Sequence, residues 1–233
     1  MLLNAFSEAF ALILSWNADL GEILGLSIQV SLTALLISIL LGLPLGTLLA
    51  IGKFPGKQGL VTVVNSLMAL PPVVVGLLVY LLLSRSGPLG VLGLLYTPEA
   101  MVIAQVILIT PIIAALSHQT MEELHLEYRE LFSSLQVTTF RAIPVYLWDA
   151  RYSLVTAVLA GFGRATSEVG AVIIVGGNID HLTRVMTTTI ALETAKGELA
   201  MALALGIILV GLALIVNASV MMVRNFARRN AYA

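Results

Sequence analysis

Four long stretches of this chain carry no charged side chain. Thirty residues separate Glu22 from Lys53, twenty-seven separate Lys57 from Arg85, twenty-two separate Glu99 from Glu122, and twenty-five separate Glu198 from Arg224. A helix of roughly 20 apolar residues crosses a bilayer core about 30 Å thick, satisfying its own backbone hydrogen bonds where no water can. A fifth stretch, from Tyr152 to about Val175, is interrupted only by Arg164 and Glu168. The expected fold is an all-α membrane protein with about five transmembrane helices, near residues 27–52, 60–83, 100–118, 152–175 and 199–223 of a membrane domain covering 23–229. Residues 1–22 then form an N-terminal interfacial helix on the outer side, 119–150 a cytoplasmic loop and 230–233 a C-terminal tail.

Composition agrees with a lipid-covered surface. Of 233 residues 59% are hydrophobic and 11% charged, too few charges to solvate a soluble domain of this size. There is no cysteine, which removes disulfides, thiolate metal sites and thiol catalysis together. A net charge of -1 argues against a general binder of nucleic acid. The placement of the basic residues says more, because Lys and Arg near span ends stay on the cytoplasmic side. One orientation puts Lys53, Lys57, Arg129, Arg141, Arg151, Arg224, Arg228 and Arg229 inside and leaves only Arg85, Arg184 and Lys196 outside. The N-terminus, with Glu8, Asp19 and Glu22, is then outside and the C-terminus cytoplasmic.

Residues 2–16 are apolar but short, and Asn4, Ser7 and Glu8 interrupt them. An interfacial helix fits best, with a short sixth span as the alternative. A cleaved signal peptide lacks its basic n-region and its small-residue cleavage pattern here.

Three segments carry more than hydrophobicity. Pro71 and Pro72 sit together inside the second apolar run, in Leu70-Pro-Pro-Val-Val-Val-Gly76. Proline removes helix hydrogen bonds, so the freed carbonyls need a protein or water partner; a packing kink and a functional helix break are both open. Arg164 and Glu168 are four residues apart, so on one helix they share a face and neutralise each other. A charge at the bilayer centre costs at least ~2.5 kcal/mol, so the pair faces protein or a wet path; a gate and a structural fastening remain alternatives. Glycines 161, 163 and 170 beside them permit close helix approach under either. Lastly, between Met121 and Ala150, Leu124, Tyr128, Leu131 and Leu135 recur at helical spacing among charged residues. That amphipathic helix either packs on its own bundle or docks a cytosolic partner.

These segments also carry a family resemblance. Leu70-Pro-Pro-Val-Val-Val-Gly76, followed by Ser86-Gly-Pro-Leu-Gly90, resembles the early spans of permease subunits of molybdate, sulfate and tungstate ABC importers. Ala150-Arg-Tyr-Ser, Ala157-Val-Leu-Ala-Gly-Phe-Gly-Arg164, Ser167-Glu-Val-Gly-Ala171 and Val175-Gly-Gly-Asn-Ile179 are similar to the tungstate permeases in particular. The motif match covers about a third of the chain. The family's cytoplasmic signature is altered: Glu130-Leu-Phe stands near its start, Leu135-Gln136 replaces the usual Leu-Gly, and Ile143-Pro144 comes early.

The resemblance implies a type I ABC importer permease fold with a cytoplasmic coupling helix. It implies a homodimer around one central path, two cytosolic ATPase subunits that carry ATP and Mg, and a tungstate-binding protein on the outer face; this chain itself holds no cofactor. Glu127, Arg129, Glu130, Leu131, Phe132, Leu135 and Gln136 would meet the ATPase. Arg164, Thr166, Ser167, Glu168 and Asn178 would line the path or gate, with cation and hydroxyl donors suited to a tetrahedral oxyanion. Tungstate is the expected substrate, with molybdate and sulfate as alternatives within the family.

The chain is not expected to be an enzyme. Gly52-Lys-Phe-Pro-Gly56-Lys57-Gln58 has the wrong glycine spacing for a phosphate-binding loop and ends in Gln. An intramembrane enzyme, the main alternative class, would need a catalytic set such as H-E-x-x-H or paired aspartates, and none is present. His118 and His125 are two helical turns apart, a poor start for a metal site, and His181 reads as solvated. A membrane assembly protein is the third class, one that would not depend on an ATPase.

Overall fold

A computed structural model describes residues 2–15 and 18–231. Among them the secondary structure is helical throughout: α1 Leu2–Ser15, α2 Ala18–Ile51, α3 Lys57–Leu67, α4 Pro72–Leu83, α5 Pro98–Ser134, α6 Thr139–Ser167, α7 Gly170–Gly176, α8 Met186–Lys196 and α9 Leu199–Ala231, with a 3-10 turn at Gly90–Leu92. The final two residues of the expected C-terminal tail, and residues 1, 16 and 17 of the expected N-terminal helix, lie outside the described residues.

Three helices are long and apolar enough to cross a membrane unaided, over Ala18–Ile51, Pro98–Ser134 and Leu199–Met222; the count reaches five if α3 with α4, and α6 with α7, each make one span. The chain bends sharply at both junctions. The expected spans 60–83 and 152–175 fall on these broken pairs, and the first break has a plain chemical cause. Pro71 and Pro72 cannot donate the backbone hydrogen bonds that would carry α3 onward, so the helix is resumed at Pro72, where a missing N–H costs nothing. At the second junction Glu168 and Val169 stand between helices, ahead of Gly170.

The helices form two compact units with interleaved sequence, one of residues 1–32, 72–104 and 166–233 and one of 33–71 and 105–165. The first is held by a cluster of Leu20, Ile23, Met186 and Leu205, onto which Leu12 of α1 and Ile208 and Leu212 of α9 pack. In the same unit α4 lies against α7. A methyl group at Gly76 would stand 2.8 Å from the Ala171 Cα, which is backbone and cannot give way. The outer flank of α9 is open: Val210, Leu214, Ile215 and Met222 are 60–71% exposed, as a lipid-facing surface requires.

In the second unit Ala50, Ile51, Met121, Ala142, Tyr146, Ala150 and Leu154 form one buried cluster, and Leu49, Val61, Val64, Ala114 and Ala115 another. Here α2 and α5 approach at Gly42 and Gly46, four residues apart on one helix face. A Cβ at Gly46 would fall 2.4 Å from the Ala114 carbonyl oxygen. Small residues at this spacing let two membrane helices meet backbone to backbone, where dispersion rather than the hydrophobic effect holds them.

Candidate functional site

The two sequence segments that carried the resemblance meet in space. Val73 and Gly76 of α4 contact Gly170, Ala171 and Ile174 of α7, so both short helices start next to one another immediately after their breaks. Gly170 would place a Cβ 3.1 Å from Val73 Cγ2. Close packing therefore requires glycine at position 76 and leaves little room for a side chain at position 170.

Glu168 lies outside the helix. α6 ends at Ser167, so Glu168 stands at the helix terminus, one residue past the last turn that carries Arg164. Glu168 is only 5% exposed; its Oε1 accepts the Ala171 N–H at 3.0 Å, and its backbone carbonyl accepts the Thr187 hydroxyl at 2.8 Å. A carboxylate at this position satisfies an orphan donor of α7 and complements the helix dipole, which offsets part of the cost of its burial. Arg164 stands half-buried in the last turn of α6, Thr166 is half-buried and Ser167 exposed.

Asn178 lies two residues past α7 in a left-handed backbone conformation, φ 49°, after Gly177 at φ 72°. Its Oδ1 accepts from the Thr188 hydroxyl at 2.8 Å, so its oxygen ties the α7–α8 loop to α8 and its amide hydrogens face away from that bond. The loop is pinned elsewhere by Thr183 donating to the Gly176 carbonyl and by the Met186 N–H donating to Ser27 Oγ at 2.8 Å. His181, on the same loop, meets Glu22 of α2 at 2.8 Å. The Glu22 carboxylate, with help from Asp180 and Asp19, raises the His181 pKa above its ordinary value.

The α5–α6 hairpin places the expected coupling residues at its closed end. Glu127, Arg129, Glu130, Leu131, Leu135 and Gln136 are exposed. Phe132 is different: it is half-buried, with its ring 5.5 Å from that of Tyr146. The buried stripe of α5 runs through Met121, Leu124, Tyr128 and Phe132, so Leu131 and Leu135, expected on the same face as Leu124 and Tyr128, are instead 54% and 64% exposed. The sequence pattern misled because both stripes satisfy helical spacing, and the one that wins is the one with Tyr146 opposite. Tyr146, 1% exposed, is stacked on Tyr128 at 6.2 Å and bonds His125 Nδ1 at 3.0 Å. The Tyr128 hydroxyl donates to Asp149 at 2.9 Å. The turn between the helices needs Gln136 at φ 53°, a position the related Leu-Gly pair would fill without strain.

Sequence reasoning missed the Tyr146–His125–Tyr128–Asp149 lock and the Thr187 bond to Glu168. Pairs separated by 21 and 19 residues leave no periodic trace. The Gly42 and Gly46 spacing was in plain view and would have marked the α2–α5 contact. Among the described residues no group of three or more His, Asp or Glu side chains is arranged to hold a metal ion.

Known proteins place this architecture. The chain is 42% identical over 204 residues to a probable anion ABC transporter permease protein of Haloferax volcanii, an alignment covering 85% of this chain and 88% of that one. It is 39% identical to the tungstate uptake system permease protein TupB of Peptoclostridium acidaminophilum, covering 92% and 94% respectively. With the protein of the same name from Campylobacter jejuni it shares 37% identity over 71% and 69%. The family of binding-protein-dependent transport system inner membrane components matches residues 42–229. A multi-pass helical chain with broken spans and that match over most of its length is a transport component rather than an enzyme, and it belongs to the family of inner membrane components of binding-protein-dependent transport systems.

Proposed function

We propose that this chain is the permease subunit of an ATP-driven importer of tungstate, working as a homodimer with two cytosolic ATPase subunits and an outer tungstate-binding protein. The observation that carries the reading is its 39% identity over nearly the whole length of a permease named for tungstate uptake. ATP and Mg would be bound and used by the partner chains. The N-terminus would lie outside and the C-terminus in the cytoplasm, the orientation that puts eight of eleven loop cations inside.

In this reading the closed end of the α5–α6 hairpin docks the ATPase through Glu127, Arg129, Glu130, Leu131, Leu135 and Gln136, and Phe132 stiffens the hairpin from within. Closure of the ATPase pair moves the hairpin, and the breaks at residues 68–71 and 168–169 absorb the rotation. Arg164, Thr166, Ser167 and Asn178 offer a cation and neutral donors to a dianion, while Glu168 holds the start of α7. A path of this kind should bind its ion weakly, since tight binding slows release.

Reconstitution decides. Liposomes holding this chain with its ATPase and binding protein should accumulate tungstate only when ATP is supplied, with molybdate and sulfate competing less well. Accumulation without ATP, or none with it, defeats the reading; a preference for molybdate or sulfate corrects the substrate alone. Arg164→Gln should cut uptake at least tenfold with the complex intact, if one charge-assisted contact is lost from the path.

A further inference from the structure

Two cavities open on the first unit, and their linings are opposite in character. One, about 340 Å³, is walled by Asp19, Glu22, Asp180, Glu193 and Glu198, with His181 and Arg184. The other, about 620 Å³, lies where the chain leaves α4, and is lined by Tyr80, Leu83, Ser84, Arg85, Ser86, Gly90, Gly93, Leu95 and Tyr96. The second lining contains two phenols, two serine hydroxyls and a guanidinium, and no carboxylate.

The loop that builds this cavity is tightly folded. Carbonyls at the end of α4, which would repel an anion, are already engaged: the Ser84 N–H donates to the Tyr80 carbonyl, the Ser84 hydroxyl to Leu81, the Leu89 N–H to Leu82 and the Gly87 N–H to Ser84. A Cβ at Gly87 or Gly90 would fall within 2.2 Å of the Leu81 or Ser84 carbonyl oxygen, so only glycine lets the loop return over the helix end. Tyr96 is held at φ 65°, a costly conformation for an aromatic residue, and its N–H donates to the Val175 carbonyl at 2.9 Å. The rings of Tyr80 and Tyr96 lie 6.4 Å apart, and a hydrogen bond with the Tyr80 hydroxyl raises the Tyr96 phenol above its ordinary pKa. Arg85 is exposed, and no carboxylate reaches it within ion-pair distance among the described residues.

We propose that the cavity between Arg85, Ser86, Tyr80 and Tyr96 is a receiving site for a tetrahedral oxyanion, where the dianion rests after leaving the binding protein and before it enters the membrane path. The proposal rests on the importer reading and on the orientation that places Arg85 outside. Guanidinium and hydroxyl donors without a competing carboxylate are the chemistry that selects an oxyanion. The strained Tyr96 ties the site by its backbone to α7, the helix that follows Glu168, so occupancy at the loop acts on the element beside the candidate gate.

The test uses the permease–ATPase complex in nanodiscs, with tungstate binding followed by calorimetry in the absence of binding protein. Weak saturable binding is expected, weakened about tenfold by Arg85→Gln and less by Ser86→Ala or Tyr96→Phe. Lys196→Gln, which removes a cation paired with Glu193 on α8, should leave it unchanged. Absence of binding to the wild type, or binding indifferent to all three cavity variants, overturns the site. So does an Arg85→Gln complex that binds free tungstate normally but docks the binding protein poorly, because Arg85 then takes a protein carboxylate. ATP-driven uptake by the wild type is measured in parallel: if it fails, the importer reading fails with it, whereas normal uptake with no cavity binding removes this proposal alone.

Discussion

At the residue scale the chain depends on a few positions where no other side chain fits. Gly76 is one: the Ala171 backbone is 2.8 Å from where a Cβ would be. Gly76→Val should lower stability by about 1–3 kcal/mol as α4 is pushed off α7, seen as a fall in the thermal unfolding temperature of the detergent-solubilised protein. An unchanged transition would mean that the helices are not in contact. His181 gives a pH dependence. Its pKa is raised by Glu22, so the tie is at full strength below the ordinary histidine value of 6.5 and is lost as pH rises through the raised one. Glu22→Gln should bring the His181 titration back toward 6.5, which NMR of labelled histidine would follow. Glu168 shows what a sequence hides at this scale. Its burial was legible from charge within an apolar run, but its capping of α7 depended on where α6 stops, and a four-residue interval is silent about that.

At the scale of elements, the long apolar runs told where α2, α5 and α9 lie because an uncharged stretch of twenty-two to thirty residues admits few other structures. The broken pairs were half legible. Pro71 and Pro72 announced the first interruption, whereas nothing as emphatic as proline marks Glu168 and Val169, and the Tyr152–Val175 run reads as continuous. The α5–α6 hairpin was harder still, since its surface keeps Leu126, Leu131 and Leu135 more than half exposed, and exposed leucines blur the amphipathic pattern. Tyr146 is the centre of that hairpin. Tyr146→Ala should cost about 3–5 kcal/mol, in the range of large aromatic deletions, and Tyr146→Phe much less. If the hairpin couples ATP use to transport, Tyr146→Ala should leave ATP hydrolysis running while tungstate uptake falls. Equal losses of both would make its role structural only.

The whole molecule is woven rather than assembled from consecutive pieces. Chain segments 1–32, 72–104 and 166–233 build one unit and 33–71 with 105–165 the other, so α2, α5 and α6 each pass through both without a break. Neither unit can be made from one stretch of sequence, and hydropathy alone gives no hint of the division, because it registers depth in the membrane and not which helices are neighbours. What the sequence did disclose at this scale was membership, through short motifs in which Gly76, Gly161 and Gly170 are contact points, whereas a Cβ at Gly163 would meet nothing within 4 Å. The exposed apolar row on α9 should be labelled by a lipid-soluble photoreactive probe before α2 residues such as Ser38, which is fully buried. Labelling in the reverse order would place α9 inside the assembly.

α5 holds a mechanical implication. Its 37 residues run for about 55 Å, nearly twice the ~30 Å of the bilayer core, with Pro111 inside the helix. A rod of that length is a lever: a tilt of a few degrees at one end sweeps several ångströms at the other. Power delivered at the far tip would reach the middle of the membrane as movement, with gearing set by helix length and by the bending permitted at Pro111, which lacks the N–H of a regular turn.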